Sequence, residues 1–123
     1  MAKIQKLGPN QRKWLKAIES GEFKQGKHEL RSITDRFCCL GVACELFKTK
    51  TTRIERRVDN YAYNGSAGAA PPFVSRALSL ADGLGTQIDR KGSLAELNDA
   101  GKRFATIAKL IRANPANYFK AAR

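Results

Sequence analysis

"RFCCLGVACELF", residues 36–47, places all three cysteines and a glycine in a nearly uncharged stretch of a chain otherwise crowded with lysine and arginine. In a helix running from about Cys38 to Lys48, Leu40, Cys44 and Phe47 share one face, and Cys38, Val42 and Glu45 lie elsewhere. Apolar residues then occur nearly all round, which is the pattern of a helix buried in a core. Gly41 and Ala43 permit close approach by a neighbouring backbone, and cysteine is among the most buried residue types. The thiols are therefore expected first as packing groups.

Two chemical roles stand beside packing. A zinc site needs four soft ligands at suitable spacing, and Cys38, Cys39 and Cys44 have a single histidine, His28, to join them. Adjacent residues seldom point at one ion, so no metal site is expected. A cysteine at a helix N-terminus gains thiolate character, and Arg36 lies close by, so Cys38 or Cys39 is the candidate nucleophile of a thiol enzyme. His28 would have to cross a hairpin to serve as its base.

Working outward, 123 residues suit one domain with one core, spanning residues 1–123. The 42% hydrophobic content is ample for folding. No apolar run is long enough to span a bilayer, and "MAKIQKLGPNQRKW" lacks the apolar middle of a secretion signal. A cytoplasmic protein with reduced thiols and no membrane partner is the expectation.

Charge is the strongest global feature: 23 Lys+Arg against 11 Asp+Glu give a net charge of +12. Residues 1–31 carry eight basic and three acidic side chains, and residues 101–123 carry six basic and none acidic. Such a balance favours polyanions, because neutralising phosphates releases condensed counterions. A basic surface that merely maintains solubility is the plainer alternative.

"GPNQRKWLKAIESGEF" reads as a helix opened by Pro9 or Asn10 and stopped at Ser20-Gly21, with Trp14, Leu15 and Ile18 inward and Arg12, Lys13 and Lys16 outward. Around a possible Thr34-Asp35 turn a short hairpin is expected, and residues 51–65 suggest one or two strands bearing Arg53, Arg56 and Arg57. "NGSAGAAPP", residues 64–72, is expected to be a mobile Gly/Ala/Pro loop within the domain. Pro71 and Pro72 open a helix through Leu80 that ends near Gly83, and "TQID" suggests a short strand. Ser93 and Glu96 form a capping box. From about Lys102, Phe104, Ile107, Ala108 and Ile111 recur at helical spacing, with Lys109 and Arg112 on the other side; Asn114-Pro115 ends that helix, and Tyr118 and Phe119 fold back. The fold class is α+β: a single small domain, helices dominant, with a small antiparallel sheet and a buried cysteine-containing helix.

No GxSxG, HExxH, GxxxxGK[ST] or GxGxxG occurs, and nothing points to a cofactor. At "FCCLGVAC", together with "WLKAIESGEF", "PPFVSRALSL" and "LAELNDAGKRFATIAKLI", the chain resembles a group of small proteins encoded by tailed bacteriophages and prophages. The resemblance implies an accessory gene product acting in the bacterial cytoplasm, and supplies no catalytic or binding residue. The expected function is non-enzymatic nucleic-acid binding with little sequence specificity, through Arg12, Lys13, Lys16, Arg53, Arg56, Arg57, Lys102, Arg103, Lys109 and Arg112. A helix-turn-helix around Gly101 is conceivable, although no base-reading series marks the second helix. The alternatives are an inhibitor or adaptor that binds a host protein, capture of a small anionic nucleotide under the 64–72 loop, and the thiol enzyme.

Overall fold

The computed structural model describes residues 6–120. In chain order its elements are α1 (Pro9–Glu19), β1 (Lys24–Gln25), β2 (Arg31–Ser32), β3 (Arg36–Phe37), α2 (Cys39–Phe47), β4 (Ile54–Arg56), β5 (Asn60–Tyr63), α3 (Pro72–Leu78), α4 (Leu94–Asp99), α5 (Phe104–Ala113) and α6 (Pro115–Tyr118). Helices dominate a small sheet, so the fold is α+β.

The centre is α2. It packs against α1, α3, α4 and β3, and every residue from Cys39 to Cys44 is buried. Gly41 explains how α2 gets so close to the sheet: a Cβ there would stand 1.7 Å from the Leu30 carbonyl oxygen. Over the other side lies α1, whose Trp14 is fully buried and donates its indole N–H to the Cys39 carbonyl at 2.9 Å. Pro9 starts α1 with a preset φ, and the Gln11 side chain accepts the Gly8 N–H at 2.7 Å. Phe119, just after α6, meets the Trp14 ring edge-on, with centroids 6.4 Å apart, so the C-terminal segment does fold back. Residues 121–123 lie outside the described residues.

The sheet is mixed, in the order β1-β3-β2-β5-β4, which corrects the expectation of an antiparallel one. β2 and β3 form the expected hairpin, with Asp35 in the left-handed region (φ 58°) and its N–H on the Ser32 carbonyl at 3.0 Å. β1 does not lie beside β2, whose two sides are taken by β3 and β5; it pairs parallel with β3. The reversal over residues 26–30 sets β1 and β2 in opposite directions, and β3 slots between them, so β1 and β3 must run the same way.

Several local boundaries move. α3 stops at Ser79, which adopts φ 59°, short of Gly83, and Thr86 makes an isolated bridge to Ser93 where a short strand was expected. Ser93 caps α4 by accepting the Glu96 N–H at 3.1 Å, and its hydroxyl donates to the Glu96 carboxylate at 3.4 Å. α5 starts at Phe104, not Lys102, because the Gln25 side chain accepts the Phe104 N–H at 2.9 Å and supplies the cap from another element. Within residues 64–72, Asn64 (φ 50°) and Gly65 (φ 84°) make a two-residue turn closed by reciprocal Tyr63–Ser66 backbone bonds of 2.7 and 2.9 Å. Beyond it, Ala67 accepts the Leu30 N–H and Ala70 donates to the Gly83 carbonyl.

Gly41→Ala is expected to destabilise the protein by about 3 kcal/mol or to prevent folding, because the added methyl meets backbone. Gly21→Ala, at φ 81° but with nothing within 4 Å of the new atom, should cost about 1 kcal/mol. Urea denaturation of the two variants checks the contrast.

Candidate nucleic-acid interface

Two side-chain amides assemble the region where the cations gather. Asn98 is fully buried at the end of α4; its oxygen accepts the Cys39 N–H at 3.1 Å and the Gln25 amide at 3.0 Å, and its nitrogen donates to the Gly26 carbonyl at 2.7 Å. Gln25 also donates to the Lys102 carbonyl at 2.6 Å. Sheet edge and helix start are thereby locked together.

Around this corner stand Lys24, Lys27, Arg36, Lys102 and Arg103, all exposed. Lys24 and Arg36 are partners in the β1–β3 register. The Lys27 ammonium lies 3.5 Å from where a Cβ on Gly101 would be, and Lys102 and Arg103 follow directly. No ion pair engages any of the five among the described residues. Asp99 is close by in sequence but is occupied: it accepts the His28 N–H at 2.7 Å and lies 3.5 Å from the His28 imidazole. Sequence reasoning named Lys102 and Arg103 and missed Lys24, Lys27 and Arg36, whose approach depends on the Gln25 and Asn98 contacts across more than half the chain.

The other candidate cations are exposed and fall on three elements. Arg12, Lys13 and Lys16 line the outer side of α1; the Arg12 guanidinium donates to the Leu7 carbonyl, and the Lys13 ammonium sits 5.9 Å from the Phe47 ring centroid. α1 packs on α5, where Lys109 has no ion pair among the described residues and Arg112 has one: its guanidinium holds both Glu19 oxygens, at 2.9 and 2.7 Å. That hydrogen-bonded contact lowers the Glu19 pKa. Arg53, Arg56 and Arg57 belong to β4 and its flanks, with Arg53 paired to Glu55 at 3.2 Å. α4 is six residues long and α5 buries Phe104, Ile107, Ala108 and Ile111, leaving Lys102, Arg103 and Lys109 outward.

A family model described as a domain of unknown function, DUF8296, matches residues 9–115. The chain belongs to that family. Neither a curated protein nor a solved structure matches it. In this DUF8296 domain no helix among the described residues is long and apolar enough to cross a membrane, and no cluster of metal-ligating side chains is found among them.

The cysteines are packed. Burial pushes the Cys38 thiol up to about 11 and raises Cys39 and Cys44 further, so all three stay protonated near neutrality. The Cys38 sulfur caps α2 by accepting the Gly41 N–H at 3.4 Å, while the His28 imidazole is exposed against Asp99. Neither an ionised thiol nor a base beside it is in place for the nucleophile role. In native protein the thiols should react with Ellman's reagent at the rate of unfolding, accelerating with urea; immediate titration of any one of them would contradict packing.

A second polar cluster was not visible in the sequence. Arg31 stacks over Tyr61 at 4.0 Å and Phe37 at 5.6 Å, and pairs with Asp35 at 2.7 Å and Glu45 at 3.7 Å. Glu45 also takes Lys48 at 2.8 Å and the Tyr63 hydroxyl. Burial raises the Glu45 pKa, but the Lys48 and Tyr63 hydrogen bonds and the two cations outweigh it and hold the carboxyl below its ordinary 4.5. Burial and the same carboxylate raise the Tyr63 pKa. Because the folded pKa is depressed, the stabilisation is complete above about 4.5 and drains away as pH falls through the folded value. Glu45→Gln should therefore cost about 1–3 kcal/mol at neutral pH, with wild-type and variant unfolding midpoints converging in acid.

Proposed function

We propose that this DUF8296 domain is a non-enzymatic nucleic-acid-binding protein that grips the phosphate backbone with little sequence preference. The observation that carries it is the corner cluster: Lys24, Lys27, Arg36, Lys102 and Arg103, exposed, without ion pairs among the described residues, and held together by the Gln25 and Asn98 amides. Cations on neighbouring elements raise a common positive field, and a row of phosphates entering it releases condensed counterions. Lys109 on α5 and Arg12, Lys13 and Lys16 on α1 extend the same charge along two helices in mutual contact. Side chains of this type, with no array of Asn and Gln beside them, position a backbone and leave bases unread. The resemblance to phage-encoded proteins supports placing this activity in a bacterial cytoplasm, as an accessory function of the phage.

Fluorescence anisotropy with labelled duplex DNA, single-stranded DNA and RNA across a salt series tests the proposal. The logarithm of affinity should fall with the logarithm of salt at a slope of about 0.9 per phosphate contact on duplex DNA. A Lys102→Glu/Arg103→Glu variant should lower that slope by about two contacts' worth, whereas Arg76→Glu/Arg90→Glu, the same loss of net charge at exposed positions elsewhere, should leave most of it. Equal losses would reduce the interaction to net charge alone, and absence of binding at low salt would refute it.

A further inference from the structure

One of the two outer strands of the sheet, β4, pairs with β5 on one side and with no strand on the other among the described residues. Its backbone polarity can be read from the flanks: the Arg57 N–H donates to the Asn60 carbonyl and the Asn64 N–H to the Arg53 carbonyl, each at 2.7 Å. In an antiparallel ladder the bonded residues alternate. Arg53, Glu55 and Arg57 thus turn their backbone groups toward β5, and Ile54 and Arg56 turn an N–H and a C=O each toward the open edge.

The side chains around that edge are specific in character. Ile54, Glu55 and Arg56 are all exposed, and Val58 at the hairpin tip is 87% exposed. Glu55 is occupied by Arg53, which leaves Lys50, Arg56 and Arg57 without a carboxylate among the described residues. The Arg57 guanidinium donates to the Gly65 carbonyl, at 3.4 Å. An open strand edge usually invites pairing with another chain. Here, a second copy of this chain would bring Lys50, Arg56 and Arg57 of both copies together, and like charges across a strand pair are destabilising. A phosphodiester backbone has no N–H groups to give to the outward carbonyls of Ile54 and Arg56. A peptide has both donors and acceptors at the right repeat.

We propose that the β4 edge docks an extended acidic peptide segment of a partner protein, which adds to the sheet as a strand beside Ile54 and Arg56. Backbone pairing at those two residues supplies the geometry. Lys50, Arg56 and Arg57 select acidic side chains, and Ile54 and Val58 offer apolar contact between them. This site is separate from the phosphate-gripping corner and does not depend on it.

Anisotropy of the full chain with a short fluorescein-labelled peptide alternating glutamate with threonine tests the idea, beside the same peptide with lysine for glutamate. The glutamate peptide is expected to bind and the lysine peptide not to. Ile54→Pro deletes an outward N–H without touching the β5 ladder, a tolerated place for proline on an edge strand. It should weaken peptide binding about tenfold while leaving DNA affinity and the circular dichroism spectrum unchanged. Should Ile54→Pro unfold the protein, N-methylation of alternate peptide amides on wild-type protein makes the same test, with a similar loss expected in one methylation phase. Binding of both peptides alike, indifference to N-methylation in both phases, or failure of the glutamate peptide to bind would overturn the proposal. So would loss of duplex DNA affinity as complete as that of peptide in Arg56→Glu/Arg57→Glu, which would assign the edge to nucleic acid.

Discussion

The side-chain amide of Asn98 is the contact on which the arrangement of this domain depends. A buried amide must satisfy its oxygen and nitrogen or forfeit their hydration, a cost of about 1–3 kcal/mol per unmet group. Asn98 meets the demand by joining three elements: the first N–H of α2, the Gln25 side chain on β1 and the Gly26 carbonyl beyond it. The Cys39 N–H and the Gly26 carbonyl depend on it, since a helix N-terminus and a strand end both leave backbone groups without ladder partners. Aspartate in its place would set a carboxylate against the Gly26 carbonyl, and leucine would orphan that carbonyl and the Cys39 N–H while leaving Gln25 its Lys102 partner.

From that contact the two most distinctive stretches of the sequence acquire a common purpose. The cysteine-rich helix is gripped at Cys39 from both sides, by Asn98 at its N–H and by Trp14 at its carbonyl. Gly41 then lets the helix settle onto the Leu30 backbone. Small thiols fit this crowding better than branched side chains would, and burial removes their reactivity as a by-product. Gln25, tied to Asn98, caps α5 through Phe104, so α5 starts where the sheet edge permits.

Much of this was legible wherever the causes are local. Pro9 and the spacing of Trp14, Leu15 and Ile18 placed α1; the uniform apolarity of residues 38–47 placed α2 in the core; Ser93 and Glu96 marked the start of α4; the Thr34-Asp35 turn marked a hairpin. What escaped has non-local causes. A two-residue strand such as β1 carries no periodicity, so its parallel pairing with β3 is decided by the amide contacts and by the reversal that precedes β2. The same contacts bring the elements bearing Lys24, Lys27 and Arg36 beside Lys102 and Arg103, so this set of cations was partly hidden. Arg31 resembles any other arginine in sequence; only the fold reveals it between Tyr61 and Phe37, bound to carboxylates and withdrawn from the pool of free cations.

That withdrawal sharpens what net charge alone leaves vague. Acidic side chains in this domain are largely committed to specific partners: Glu19 to Arg112, Glu45 to Lys48 and Arg31, Glu55 to Arg53, Asp99 to His28. Asp99 is the instructive case. It is one turn from Lys102 and Arg103 along the chain, yet its oxygens face the backbone N–H of His28, which it holds in a left-handed conformation at φ 69°. A carboxylate spent on a local backbone bond cannot also quench the cations beside it. Cations without an ion pair among the described residues remain at the Gln25 and Asn98 corner and along the β4 edge, and the two places differ in what else they offer. The corner lies on the two-residue β1, the other outer strand, whereas the longer β4 edge turns the backbone groups of both Ile54 and Arg56 outward at a strand repeat. Equal charge thus leads to different partners, because the second requirement, hydrogen-bond complementarity of the backbone, is met by a peptide and not by a phosphate chain.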